Sequence, residues 1–138
     1  MEREMPMGLA LLVCDLVIQD RQTNKRTLVG LFDRLFANQF PCVHPQLSVF
    51  VSLTSGKGTY QCEIRCRNSQ DGTPAFSAKG PVTMKDPMQV VEMVFNLQGV
   101  RFNEAGHYWL ECLVDEVPVM MRRITVARPE KTQEDSAK

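Results

Sequence analysis

The sequence has few rings and no charge of one sign. It holds one tryptophan, two tyrosines and two histidines in 138 residues, little from which to build an aromatic sugar platform. Sixteen basic side chains balance sixteen acidic ones, so no global field draws in nucleic acid or an anionic membrane. No apolar run approaches the roughly 20 residues of a membrane span. The one short run, GLALLVC at 8–14, follows MEREMPM, whose two glutamates against one arginine do not suit a secretory leader. No GxxxxGK[ST] cradle occurs, and Gly56-Lys57-Gly58 reads as a hairpin turn. The five cysteines, at 14, 42, 62, 66 and 112, form no paired framework. They read as free thiols in a reducing compartment, serving as small apolar core residues. These absences predict a cytoplasmic protein with no membrane or nucleic-acid partner and no cofactor.

What is present is alternation. No long segment repeats at 3.6, whereas period two dominates. It predicts strands at 8–18, 26–35, 47–55, 59–67, 74–80, 88–100, 107–115 and 117–127, the first two forming a hairpin with Asn24-Lys25 near its tip. In 59–67, Tyr60, Cys62, Ile64 and Cys66 share one face and Gln61, Glu63, Arg65 and Arg67 the other. The segment 37–46, with two prolines, reads as a loop between sheets. About eight short strands at ten-residue intervals predict an all-β, antiparallel β-sandwich, immunoglobulin-like in broad architecture. Gly106 and Tyr108 in NEAGHYW resemble the tyrosine corner of such sandwiches, although Leu110 stands where a disulfide cysteine would. The predicted organisation is an N-terminal segment at 1–7, one sandwich domain at 8–127 and a disordered tail at 128–138.

The polar residues give little chemistry. GLFDRLFANQFPCVHP gathers Asp33, Arg34, Cys42 and His44. In a continuous strand 28–35, however, Asp33 and Arg34 point to opposite faces, and nothing around Cys42 and His44 marks a nucleophile. Cys62 and Cys66, four apart on an extended strand, stand ~13 Å apart, too far to share a zinc or a disulfide. Arg122 and Arg123 face opposite ways and, with Arg101 and Arg128, read as solvated charges.

The anomaly is apolar. In 9–18 one face carries Ala10, Leu12, Cys14, Leu16 and Ile18, and the other carries Leu9, Leu11, Val13 and Val17. Trp109 and Leu113 point away from Tyr108, Leu110 and Cys112, and Val119 and Met121 repeat the pattern. A strand apolar on both sides needs cover on both. Leu11, Val13, Trp109, Leu113, Val119 and Met121 are therefore the candidate interface residues, a patch for a protein partner or a second copy of the chain. The expected function is a non-catalytic interaction or assembly module that offers an apolar sheet face or an edge strand. The alternative is a small-ligand or carbohydrate-binding sandwich using loops 36–46 and 98–107 around His44, His107 and Trp109. An enzyme with Cys42 as nucleophile stands last.

The stretch CDLVIQDRQTNKRTLVGLFDRLF, the proline loop FPCVHP and the spacing F-x-x-x-G-x-Y at 102–108 are similar to a family of short, uncharacterised bacterial β-sandwich proteins. The likeness covers most of 8–127. It implies a fold and a bacterial origin, and brings no site residues.

Overall fold

A computed structural model describes residues 4–129. It is all-β, with ten strands: β1 (Met7–Cys14), β2 (Leu16–Gln19), β3 (Arg26–Val29), β4 (Arg34–Phe36), β5 (Cys42–Thr54), β6 (Gly58–Asn68), β7 (Pro74–Met84), β8 (Val91–Phe102), β9 (Gly106–Val114) and β10 (Val117–Ala127). They build a three-stranded sheet β1-β5-β8, a five-stranded sheet β4-β10-β9-β6-β7 and a two-stranded sheet β2-β3. The two larger sheets pack face to face as a sandwich. The expected architecture holds, but its pairing is not purely antiparallel, since β4 runs parallel to β10.

The core follows from alternation. Leu47, Val49, Val51 and Leu53 from β5 meet Tyr60, Cys62, Ile64 and Cys66 from β6 and Tyr108, Leu110, Cys112 and Val114 from β9, all essentially inaccessible to solvent. The aromatic rings of Phe76, Phe102 and Tyr108 stack edge to face through one end of it. Tyr108 is the expected corner: its hydroxyl donates to the Glu104 carbonyl at 2.6 Å. Tyr60 plays a similar part unannounced, donating to the Glu4 carbonyl at 2.7 Å and so tying the start of the chain to β6.

Two predicted strands are each broken in two. The segment 8–18 stops at Asp15, and 26–35 stops at Gly30, where φ is +70°. That left-handed conformation suits glycine, and a Cβ there would also collide with the Asp15 carboxylate. The chain therefore leaves the three-stranded sheet after β1, makes the β2–β3 hairpin, and enters the five-stranded sheet as β4. The hairpin turn is closed by the Asp20 carboxylate, which accepts from the Gln22 and Thr23 amides at 2.8 and 3.0 Å. Those two bonds hold the Asp20 carboxyl below the usual range. Asn24 takes φ +62° beside it.

The face assignment of β1 is the reverse of the expected one. The register slips once, between Gly8 and Ala10, and runs regularly from there, with Leu11 and Val13 in the core at 6% and 0% exposure. Ala10, Leu12 and Cys14 face outward with Ser48, Phe50 and Ser52 of β5, their register partners. β5 also starts earlier than predicted, so 42–46 is strand and not loop. Pro45 sits opposite Gly99, between the paired residues His44↔Val100 and Gln46↔Gln98. Pro45 has no amide to give and Gly99 has φ +62°, so both strands change phase together there. Of the predicted tail at 128–138, residues 130–138 lie outside the described ones, as do residues 1–3 of the N-terminal segment. Among the described residues no helix is long and apolar enough to cross a membrane.

Candidate functional site

The structure scatters the six candidate interface residues. Leu11 and Val13 belong to the core and form no part of an outer face. Leu113 does face outward but is 4% exposed, flanked across the strands by Glu63 and Pro118. Val119 lies at a bulge in β10, where Pro118 pairs with Leu113 and Met120 with Cys112. The extra residue turns Val119 inward against the core. Trp109 is half-buried beneath the Arg123 guanidinium, 4.7 Å from its ring centroid. Met121 alone of the six is well exposed. A contiguous apolar patch over β1, β9 and β10 is therefore not what the structure shows.

A different group of outward-facing apolar residues lies on the three-stranded sheet and its hairpin. On the three-stranded sheet, Cys14, Ser48, Phe50 and Ser52 face away from the core, yet all are buried. The β2–β3 hairpin covers this region. The Cys14 thiol reaches the Leu16 carbonyl at 3.5 Å, and Arg26 of β3 bonds Glu92 of β8 at 2.5 Å. The half-buried pair Val17↔Leu28 marks the inner hairpin face. Strand alternation then turns Leu16, Ile18 and Val29 to the outside, where they are 42%, 50% and 40% exposed. Leu16 and Val29 are direct cross-strand partners, and Leu31, 56% exposed, follows two residues on. Three large apolar side chains thus occupy the outer face of a small hairpin whose inner face already does the covering, and Leu31 lies just beyond it.

The outer face of the five-stranded sheet is polar. Trp109 lies between Arg67 on β6 and Arg123 on β10, its partners in register on either side. Arg67 bonds Glu111 at 2.6 Å. Arg65 bonds Glu63 at 2.9 Å, which holds the Glu63 carboxyl below the usual range and raises Arg65. These ion pairs border an open groove of about 470 Å³ that continues to Phe76 and Ser77. A second, smaller cavity of about 200 Å³ lies towards the β4 edge and is lined by Asp33, Arg34, Arg123 and Thr125.

The remaining expected sites do not assemble. Asp33 precedes β4 instead of lying within a strand, so it and Arg34 line the same small cavity; the alternation that set them apart does not operate there. His44 packs at a tilt against Phe32 with centroids 5.7 Å apart and points Nε2 at the Asp15 carboxylate, 3.6 Å away. Cys42 packs against the core. His107 and Trp109 share the outer face of β9, while His44 belongs to the other sheet, so the three do not frame one ligand loop. All five cysteines are free. Cys62 and Cys66 both point inward from β6, as expected. Cys62 instead meets Cys112 of β9, Sγ to Sγ 3.8 Å, a diagonal contact that strand spacing alone could not announce. The bond shared with Cys62, and then burial, push the Cys112 thiol up. Burial alone pushes Cys66 up to about 12. Among the described residues no group of three or more His, Cys, Asp or Glu is placed to hold a metal ion.

With this geometry in view, comparison with known proteins gives one decisive match. Residues 9–127 fit DUF6941, a family of unknown function. The chain belongs to that family. No curated protein matches this DUF6941 chain. Among solved structures, a beta-glucosidase from Listeria innocua in complex with isofagomine is similar at a TM-score of 0.42 and 10% identity. The match covers 79% of this chain and 19% of that one, so the DUF6941 domain spans under a fifth of the enzyme's length.

Proposed function

We propose that this DUF6941 protein is a non-catalytic assembly module that pairs with a second copy of itself through the outer face of the β2–β3 hairpin. The observation that supports it is the exposed cross-strand pair Leu16↔Val29 with Ile18 beside it. Exposed apolar surface concentrated on one element marks a partner site more than scattered single residues do. A second copy suits it for two reasons. An apolar face is complementary to itself, as a two-fold contact requires. The charges lean the same way: the hairpin tip carries Arg21 and Lys25 against Asp20, and its base carries the exposed Asp15. Two hairpins face to face and antiparallel set the tip of each over the base of the other.

Three side chains are far fewer than the 20–30 residues a side of a standard interface, so the affinity is weak. Sedimentation velocity from about 1 to about 300 μM, a range that brackets weak association, tests this. The unmutated chain sediments faster as it is concentrated, and Ile18→Glu stays monomeric with an unchanged melting temperature. An unmutated chain that remains monomeric across the range contradicts the proposal.

A further inference from the structure

The small cavity beside β4 has no part in the hairpin contact, and its chemistry is specific. Arg34 and Arg123 both line it, and among the described residues neither guanidinium is paired with a carboxylate. Their placement is built into the sheet. Arg34 is the register partner of Thr125 in the parallel β4–β10 pair, and Arg123, two residues before Thr125, shares its face. Asp33 is fixed alongside because its carbonyl accepts from the Thr125 amide at 2.9 Å. Trp109 supports the Arg123 guanidinium from one side, which leaves the N–H edge for a ligand. His107 Nδ1 lies 3.0 Å from the Thr125 hydroxyl. With its proton on Nδ1, His107 donates to that oxygen and leaves the hydroxyl hydrogen for another acceptor.

Two forked cations and a hydroxyl in a cavity of about 200 Å³ suit a tetrahedral oxyanion with a few waters, at roughly 30 Å³ per water. Asp33 narrows the choice. A carboxylate beside an anion repels it unless the anion presents a hydrogen of its own. Inorganic phosphate keeps a P–OH at neutral pH. Sulfate has none, and a phosphate monoester, with a second pKa of about 6, has largely lost its own. We propose that Asp33, Arg34, Arg123 and Thr125 form a binding site for inorganic phosphate, with the two arginines and Thr125 holding its oxygens and Asp33 accepting its P–OH.

The test is a titration of the isotope-labelled full chain by two-dimensional NMR with sodium phosphate, sodium sulfate and phenyl phosphate, each to about 20 mM in a low-salt buffer, because exposed charge pairs are screened by salt. Phosphate is expected to shift the amides of residues 33–34, 107, 123 and 125, and to bind about tenfold more tightly than sulfate or phenyl phosphate. Arg34→Gln and Arg123→Gln each weaken phosphate about tenfold, the scale of one charge-assisted bond. Both residues are exposed, so an unchanged spectrum elsewhere confirms that the variants fold. Asp33→Asn abolishes the preference over sulfate. Equal affinity for phosphate and sulfate in the unmutated chain, shifts confined to other residues, or no shift at all overturns the site.

Discussion

At the scale of single residues, buried hydroxyls and thiols carry the stability that is easiest to test. Tyr108 joins a ring packed in the core to the backbone of the turn before β9. Tyr108→Phe keeps the ring and loses the bond, which costs about 1 kcal/mol and lowers the melting temperature by roughly 3–5 °C. Burial raises the Tyr108 hydroxyl and, more strongly, the Cys66 thiol. In the folded chain Cys66 keeps its proton to about 12, while the unfolded chain releases it near 9.0. The unfolded state therefore binds fewer protons above that pH, and stability falls as pH rises between the two values. Denaturant unfolding measured from pH 8 to 11 should show this loss. Cys66→Ala, though less stable throughout, should remove on the order of 1.4 kcal/mol per pH unit from the slope.

At the scale of elements, the hairpin is the unusual part. It interrupts the passage of the chain from one sheet to the other and shields outward-facing residues of β1 and β5. Gly30, where the chain leaves the hairpin, permits this route. Gly30→Ala strains a left-handed backbone and displaces the Asp15 carboxylate, at a cost of about 1–2 kcal/mol. The change should appear in denaturant unfolding as a lower midpoint with an unchanged slope. Cys14 reports on the cover itself. It is fully buried with its thiol bonded to the Leu16 carbonyl, so replacing residues 17–28 with a short Gly-Ser link should open it to a thiol reagent. In the intact chain, half-buried Cys42 should react first and Cys14 only on unfolding. If Cys14 labels equally slowly in both chains, the hairpin is not what covers it.

At the scale of the whole molecule, the fold was legible wherever burial is one-sided. The strands 47–55, 59–67 and 107–115 alternate without interruption, and each put the expected side chains in the core. The corner was legible from Gly106 two residues before Tyr108. Features that depend on phase or partner were hidden. Which face of β1 points inward leaves no mark in a run of leucines and valines that is apolar on both sides, and the same run hides the break at Asp15. The inversion of β1 removes Leu11 and Val13 from the candidate outer face. Leu11 and Val13 were read as surplus apolar surface when they are the core, whereas Ala10, Leu12 and Cys14 face outward and Leu16 and Ile18 lie on the exposed face of the hairpin. Likewise, Arg34 and Arg123 are 89 positions apart and meet only because β4 pairs parallel with β10, a connection that alternation cannot specify.

The central claim is that the hairpin's outer face, and no other surface, joins two copies of this chain. A dilution series followed by amide NMR tests it most directly, because it both detects association and locates it. On concentrating from about 20 μM to about 1 mM, a span chosen for weak dimers, the resonances of residues 15–31 should shift or broaden while those of 107–113 and 117–123 stay fixed. Spectra that are identical throughout the series, or changes centred on Trp109 and Met121, would contradict it.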